Sequence, residues 1–224
     1  MVNAIVFSDE ITLWWEKQWN LPDGVLYRIT LNGKTLGVTE NTHFSCNSLT
    51  EKTKYSVRVE RVVGDMPAQT LCELDICTAA AKKRIDVSAE PYLAKGDGLT
   101  LNTEALQRAI DDCGADECVY FPKGVFLSGA LNLHSDMEIY LDEGATLQGT
   151  ARVEDYLPKR KSRFEGIEMM CYSSLLNMGE LDNSAGPNCR NIIIRGGGSV
   201  IGGGTEHSNA VIASERERLR DFLV

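Results

Sequence analysis

The sequence predicts an all-β chain of two domains: an antiparallel sandwich over residues 1–82, then the beginning of a parallel β-solenoid with a helix at its N-terminal end over residues 83–224. Three observations carry this reading. Short alternating apolar runs separated by turn residues fill the chain up to about Ala79; the pattern changes after Lys82-Lys83-Arg84; and one amphipathic helical segment is then followed by brief strands broken at regular intervals by Gly, Asp or Ser. At 224 residues and 43% hydrophobic, the chain has material for two cores, since domains usually run about 100–150 residues.

In the first domain the strand-like runs are Ile11–Leu13, Leu26–Thr30, Thr42–Ser45, Tyr55–Glu60 and Glu73–Cys77, with turns at Pro22-Asp23-Gly24 and Asn32-Gly33. Asn-Gly between two such runs marks a hairpin, because a type I′ turn needs positive φ at both central residues. The boundary falls near residues 80–84, at Ala79-Ala80-Ala81-Lys82-Lys83-Arg84.

In the second domain a helix is expected from Glu104 to Cys113. Thr103 would be its N-cap, Leu106 and Ile110 lie four apart on one face, and Gly114 is the stop. Val119–Phe121, Val125–Leu127, Leu131–Leu133, Glu138–Leu141 and Ala145–Leu147 follow, and the theme returns at Asn191–Arg195 and Ser199–Gly202. Strands this short and regular suit stacked coils that bury inward-pointing aliphatics. The helix would then cover the open end of the stack.

Composition narrows the partners. Lys plus Arg number 23 against 32 Asp plus Glu, a net charge of −9, so the mean field repels nucleic acid and anionic membranes. No apolar run reaches the roughly 18–20 residues that span a bilayer, and Met1–Trp15 lacks the basic and apolar regions of a signal peptide. A cytoplasmic setting is expected. The seven cysteines, an odd number without CxxC spacing or nearby His, read as reduced and structural, so neither zinc nor another metal is expected.

Two resemblances add to this. Leu49-Thr50-Glu51-Lys52-Thr53-Lys54-Tyr55 with Val57 and Val59, together with Trp14 or Trp15, resembles the tyrosine corner and core Trp of fibronectin type III domains. The runs Ala94–Gly114, Val119–Gly124, Phe126–Gly129 and Leu141–Gly149 resemble the opening of the polygalacturonase family, glycoside hydrolase family 28. That resemblance implies a right-handed parallel β-helix, pectin lyase-like, acting on galacturonate oligo- or polysaccharide. It also implies inverting hydrolysis of α-1,4-galacturonosyl links by an acid and a base about 6.5–9.5 Å apart, with no cofactor.

The family's catalytic Asp motifs, Asn-Thr-Asp and a later Asp-Asp pair, do not occur as such. Asn102-Thr103-Glu104 and Asp111-Asp112 come too early, on the helix, and His43, His134 and His207 lack flanking Gly. No residue is therefore assigned a catalytic role: the chain is expected to stop before the chemistry, to be inactive alone, and to self-associate through an open β-helix end. Lys159, Arg160, Lys161 and Arg163 form a basic run suited to galacturonate carboxylates. Arg163-Phe164-Glu165-Gly166-Ile167-Glu168 with Cys171-Tyr172-Ser173 resembles a loop beside the cleft of exo-acting members, which implies Arg163, Glu165 and Tyr172 on the substrate side. The other reading is a loop whose charges pair with each other. For the whole chain the alternatives are a non-catalytic β-helix that binds glycan or serves as structure, and a calcium-dependent lyase, for which clustered carboxylates are lacking. Gly196-Gly197-Gly198 and Gly202-Gly203-Gly204, without a following Lys-Ser/Thr, read as tight turns.

Overall fold

A computed structural model describes residues 1–17, 21, 24–164 and 166–221. Pro22, Asp23, Glu165 and residues 222–224 lie outside the described residues, as does the side chain of His207. Two compact units are present, Met1–Lys82 and Lys83–Val224.

The first unit contains β1 (Val2–Val6), β2 (Ile11–Trp15), β3 (Val25–Leu31), β4 (Lys34–Thr39), β5 (His43–Cys46), β6 (Lys54–Val63) and β7 (Gln69–Cys77). They form two sheets, β1-β2-β5 and β4-β3-β6-β7, with antiparallel pairing throughout. The alternation of β2 sends Ile11, Leu13 and Trp15 inward, where they meet Tyr27, Ile29, Cys46, Val57 and Val59. Trp15 is 5% exposed and Trp14 43%, so the odd-numbered side of β2 supplies the core indole. Asn32 and Gly33 have φ of 48° and 79°, the two positive values that a type I′ turn requires between β3 and β4. The Tyr55 hydroxyl accepts the Thr50 backbone N–H at 2.9 Å.

The second unit runs β8 (Lys83–Asp86), β9 (Asp97–Leu101), α1 (Thr103–Asp111), β10 (Glu117–Phe121), β11 (Gly124–Ser128), β12 (Leu131–Leu133), β13 (Met137–Leu141) and β14 (Ala145–Gly149). After a 3-10 turn at Val153–Tyr156 come β15 (Arg160–Phe164), β16 (Ile167–Cys171), β17 (Leu176–Met178), β18 (Ile192–Gly196), β19 (Ser199–Ile201) and α2 (Gly204–Asp221). Successive strands join different sheets, β8-β10-β13-β18, β9-β11-β14-β19 and β12-β17, and each pairs in parallel with a strand of the neighbouring coil. This is a parallel β-solenoid.

Register makes the core. Ile85, Val119, Ile139 and Ile194 lie opposite one another on β8, β10, β13 and β18. Phe126, Leu147 and Val200 form a second column. Val119, Ile139, Phe126 and Leu147 are buried, whereas Ile194 and Val200 on the last coil are 39% and 44% exposed.

The helix differs in detail from expectation. It spans Thr103–Asp111, and Asn102, not Thr103, is the N-cap, without a side-chain cap bond. Thr103 is drawn into the helix because its hydroxyl accepts the Gly129 N–H at 2.8 Å, fixing it to the turn after β11. The Asn102 amide is committed elsewhere: it accepts the Lys95 N–H and donates to the Lys95 and Thr100 carbonyls. Leu106, Ala109 and Ile110 are buried. On the same helix the Gln107 amide donates to the Asn132 carbonyl at 3.0 Å and accepts the Asn132 N–H at 2.8 Å. Those are the two bonds that a neighbouring strand would give β12.

The glycine run after β18 is a tight turn, as expected; Gly204 instead opens α2. Gly196 has φ of 114°, and a Cβ there would lie 2.0 Å from the Leu141 carbonyl oxygen. Gly202 has open space around it. Gly196→Ala is therefore expected to cost about 2–4 kcal/mol through clash and backbone strain, with Gly202→Ala within about 1 kcal/mol of the parent. Urea unfolding followed by circular dichroism measures both.

Candidate functional site

Between β14 and β17 the chain leaves the coil and returns, and the basic run of the sequence lies in this excursion. Its start is fastened to the solenoid. The Asp155 carbonyl accepts the Ala130 N–H at 2.9 Å, Gly129 leaves the room this needs, since a Cβ there would meet the Asp155 oxygen at 2.2 Å, and the buried Tyr156 donates its hydroxyl to the Thr150 carbonyl at 2.8 Å.

From this anchor rise β15 and β16, an antiparallel hairpin around Gly166 rather than the loop expected. Its register pairs Arg163 with Glu168 and Lys161 with Met170. Alternation puts Lys161, Arg163, Glu168 and Met170 on one face, and Arg160, Ser162, Met169 and Cys171 on the other.

Each cation of the run has a carboxylate. Lys159 pairs with Glu215 of α2, and Arg160 with Glu180 at 3.2 Å, while also donating to the Gly179 carbonyl. Lys161 and Arg163 share Glu168, at 3.5 and 3.2 Å. The Arg163 hydrogen bond, then the Lys161 charge, holds the Glu168 carboxyl below its ordinary range. All three side chains are solvent-exposed, so water and salt screen their attraction.

Tyr172, just after β16, has its hydroxyl 2.9 Å from Ser214 Oγ and the Lys159 ammonium 4.4 Å over its ring. Of the three residues expected on the substrate side, Arg163 therefore faces Glu168, Tyr172 faces α2, and Glu165 lies outside the described residues. Ser214 and Glu215 join this group from more than 40 residues away, and nothing local in the sequence marks them.

Asp111, Asp112 and His134, also singled out in the sequence, have structural partners. Asp111 accepts from Gln107, and Asp112 accepts the Tyr92 hydroxyl at 2.8 Å; burial, then that bond, pushes the Tyr92 phenol up to about 12. His134 sits half-buried in the turn after β12, its ring nitrogens 2.9 Å from the Ser135 and Ile110 carbonyls. Among the described residues no three His, Cys, Asp or Glu side chains gather as metal ligands. None of the seven cysteines forms a disulfide, and burial pushes the Cys46 and Cys118 thiols up to about 11. In the Gly96-Asp97-Gly98 motif, the Asp97 carboxylate accepts the Leu99 and Thr100 N–H groups and the Thr100 hydroxyl at 2.7–2.9 Å.

No family model matches the chain. The fold of the second unit is that of a parallel β-solenoid with an excursion between coils. It superposes on the Yersinia enterocolitica family 28 exopolygalacturonase with a TM-score of 0.70 and 28% identity, over 88% of this chain and 41% of that one. Among curated proteins, 131 residues are 41% identical to the exo-poly-α-D-galacturonosidase of Dickeya chrysanthemi, covering 58% of this chain and 21% of that protein. The hyperthermoactive exopolygalacturonase from Thermotoga maritima aligns at 31% identity over 53% of this chain and 24% of its own, with a TM-score of 0.45. Part of the chain is similar in sequence to the Dickeya galacturonosidase and in structure to the Yersinia family 28 enzyme, and the chain spans about a fifth of the curated relative it matches.

The Asp97 bonds give a pH prediction. They hold its carboxyl down at about 2, against 3.8 ordinarily. A carboxyl depressed in the folded state contributes stability that is present above pH ~4 and lost as pH falls towards ~2. Asp97→Ala is expected to lower the melting temperature at pH 6 and to flatten its decline between pH ~4 and ~2, measured by calorimetry.

Proposed function

We propose that residues 83–221 are the first coils of a pectin-degrading glycoside hydrolase that cleaves α-1,4-galacturonosyl links with inversion. Its acid and base would come from carboxylates outside the residues described here. The observation that carries this reading is the 41% identity over 131 residues to the Dickeya chrysanthemi exo-poly-α-D-galacturonosidase. Inversion requires two carboxyl groups separated by about 6.5–9.5 Å, with room for water. The carboxylates singled out in the sequence instead serve the helix and its neighbours, Asp111 with Gln107 and Asp112 with Tyr92.

Arg163, Glu165 and Tyr172 are the substrate-side residues in this proposal. Arg163 is 62% exposed on its side chain and shares its carboxylate partner with Lys161. A galacturonate carboxylate that displaced Glu168 would find two cations already in place, and Arg could take it bidentately. α1 acts as the cap of the first coil, which its Gln107 bonds to β12 support. For residues 1–82 the proposal is a fibronectin type III-like module, supported by the sheet order and by the Tyr55 hydroxyl bonding back to Thr50.

The test is a chimera in which residues 83–203 replace the matching segment of the Dickeya protein, assayed for galacturonate released from polygalacturonate. The expected outcome is kcat/KM within about tenfold of the parent, a loss under about 1.4 kcal/mol of transition-state stabilisation. The 224-residue chain alone should yield no new reducing ends. In a chimera extended through residue 221, Arg163→Ala should raise KM with little change in kcat. A folded chimera with no turnover, or turnover by the chain alone, would reject the proposal.

A further inference from the structure

His134 stands between α1 and the turn after β12, and its ring meets a carbonyl at both nitrogens. Nδ1 lies 2.9 Å from the Ser135 carbonyl oxygen and Nε2 lies 2.9 Å from that of Ile110. A carbonyl oxygen can only accept, so each contact is a hydrogen bond only when the facing nitrogen carries a proton. A neutral imidazole carries one such proton and the imidazolium carries two. In the neutral ring, whichever tautomer forms, one nitrogen lone pair is turned towards a carbonyl oxygen. Protonation converts that repulsion into a second, charge-assisted bond.

The surroundings favour the charged ring. The Ile110 carbonyl belongs to the last turn of α1 and also accepts the Cys113 N–H at 3.1 Å; carbonyls at a helix C-terminus carry the negative end of the backbone dipole. On the strand side stands Asp136, bonded by Asn191 at 2.7 Å and by Arg190 at 3.3 Å. Its carboxyl is held below the ordinary range first by the Asn191 bond, then by Arg190, and also by the His134 charge. On the helix side Asp111 and Asp112 accept from Gln107 and from the Tyr92 hydroxyl, Arg108 lies in the last turn, and the Cys113 thiol is 3.7 Å from the Gly114 carbonyl. Among the described residues of these segments, three carboxylates therefore outnumber two guanidiniums.

The second bond has a structural use. Gln107 ties α1 to Asn132 of β12 by two bonds, and Ile110, three residues on, is the next position on the same helix face. His134 thus fastens the C-terminal end of α1 where Gln107 fastens its middle.

We propose that His134 is a pH-sensitive staple: as the imidazolium it bonds α1 to the turn after β12 through both nitrogens, and on losing a proton it releases one of the two carbonyls. Folding then takes up a proton at this ring. The stability it contributes is present at low pH and lost as pH rises through the range in which imidazoles titrate, the opposite direction to that of Asp97.

The experiment has two readouts on the 224-residue chain. Long-range 1H–15N spectra of the 15N-histidine-labelled protein report how many ring nitrogens carry a proton, with the His134 signals assigned by their loss in His134→Gln. At pH ~7 the ratio of charged to neutral His134 is expected to be at least about threefold higher in the folded chain than in the same chain unfolded in urea. Calorimetry supplies the second readout. Between pH ~6 and ~8 the melting temperature of the parent should fall by roughly 2–4 °C more than that of His134→Gln, whose amide keeps a donor for one carbonyl but does not titrate. Should His134→Gln fail to fold, His43→Gln and His207→Gln assign the remaining ring by elimination and the first readout stands. A His134 ring no more protonated in the folded than in the unfolded chain would overturn the proposal, as would equal declines in parent and variant.

Discussion

In-register parallel stacking is the constraint from which the rest of the second unit follows. A coil rises by one strand spacing, about 4.8 Å, so every residue of one coil sits on its counterpart in the next. An aliphatic that points inward must then find an aliphatic above it, as Val119 finds Ile139. A slip of one residue would turn the whole column outward. The same constraint reaches the corners. Gly124 lies against Gly96, and Gly196 against the Leu141 carbonyl, because backbones at successive turns come too close for a side chain between them.

Stacking also dictates what the polar interior must do. Buried Asn102 and Asn177 each bond to backbone groups at a bend, Asn177 donating to the Leu131 and Ser174 carbonyls and accepting the Ser174 N–H. The side-chain amide replaces the ladder bonds that the bend interrupts. On the face opposite the Val119 column, Glu138 is 2% exposed and meets Arg195 at 2.7 Å, while Arg84 and Arg195 lie over the Tyr120 and Tyr140 rings. Removing one partner of such a pair would strand the other charge away from water.

The excursion between β14 and β17 follows another logic. It is anchored where it leaves the coil, by Asp155 and Tyr156, and carries an exposed hairpin on which Arg160 pairs with Glu180 while Lys161 and Arg163 share Glu168. Lys159 and Tyr172 are set by Ser214 and Glu215 on α2, so the geometry of this basic run depends on a helix far away in sequence. An anionic ligand arriving here meets paired charges, and its binding is an exchange of one carboxylate for another.

The amino-acid sequence by itself determined the periods. Alternation at Ile11–Leu13, the Asn32-Gly33 turn, the helical spacing of Leu106 and Ile110, and the short strands from Val119 onward are local signals, since backbone sterics and side-chain direction need no distant partner to express them. Tertiary structure decided what lacks a local signal. β1 and β4 are poorly alternating and gain their ladders from neighbours. β15 and β16 are strands because they pair with each other around Gly166, although their composition reads as a charged loop. Thr103 became helical, not the cap, because Gly129, 26 residues on, claimed its hydroxyl. The partners of Lys159 and Tyr172, and the helix carbonyl that faces His134, arise only when separate strands and helices meet. Contacts between residues far apart in the chain are fixed by the packing of whole elements, and no window of sequence contains them.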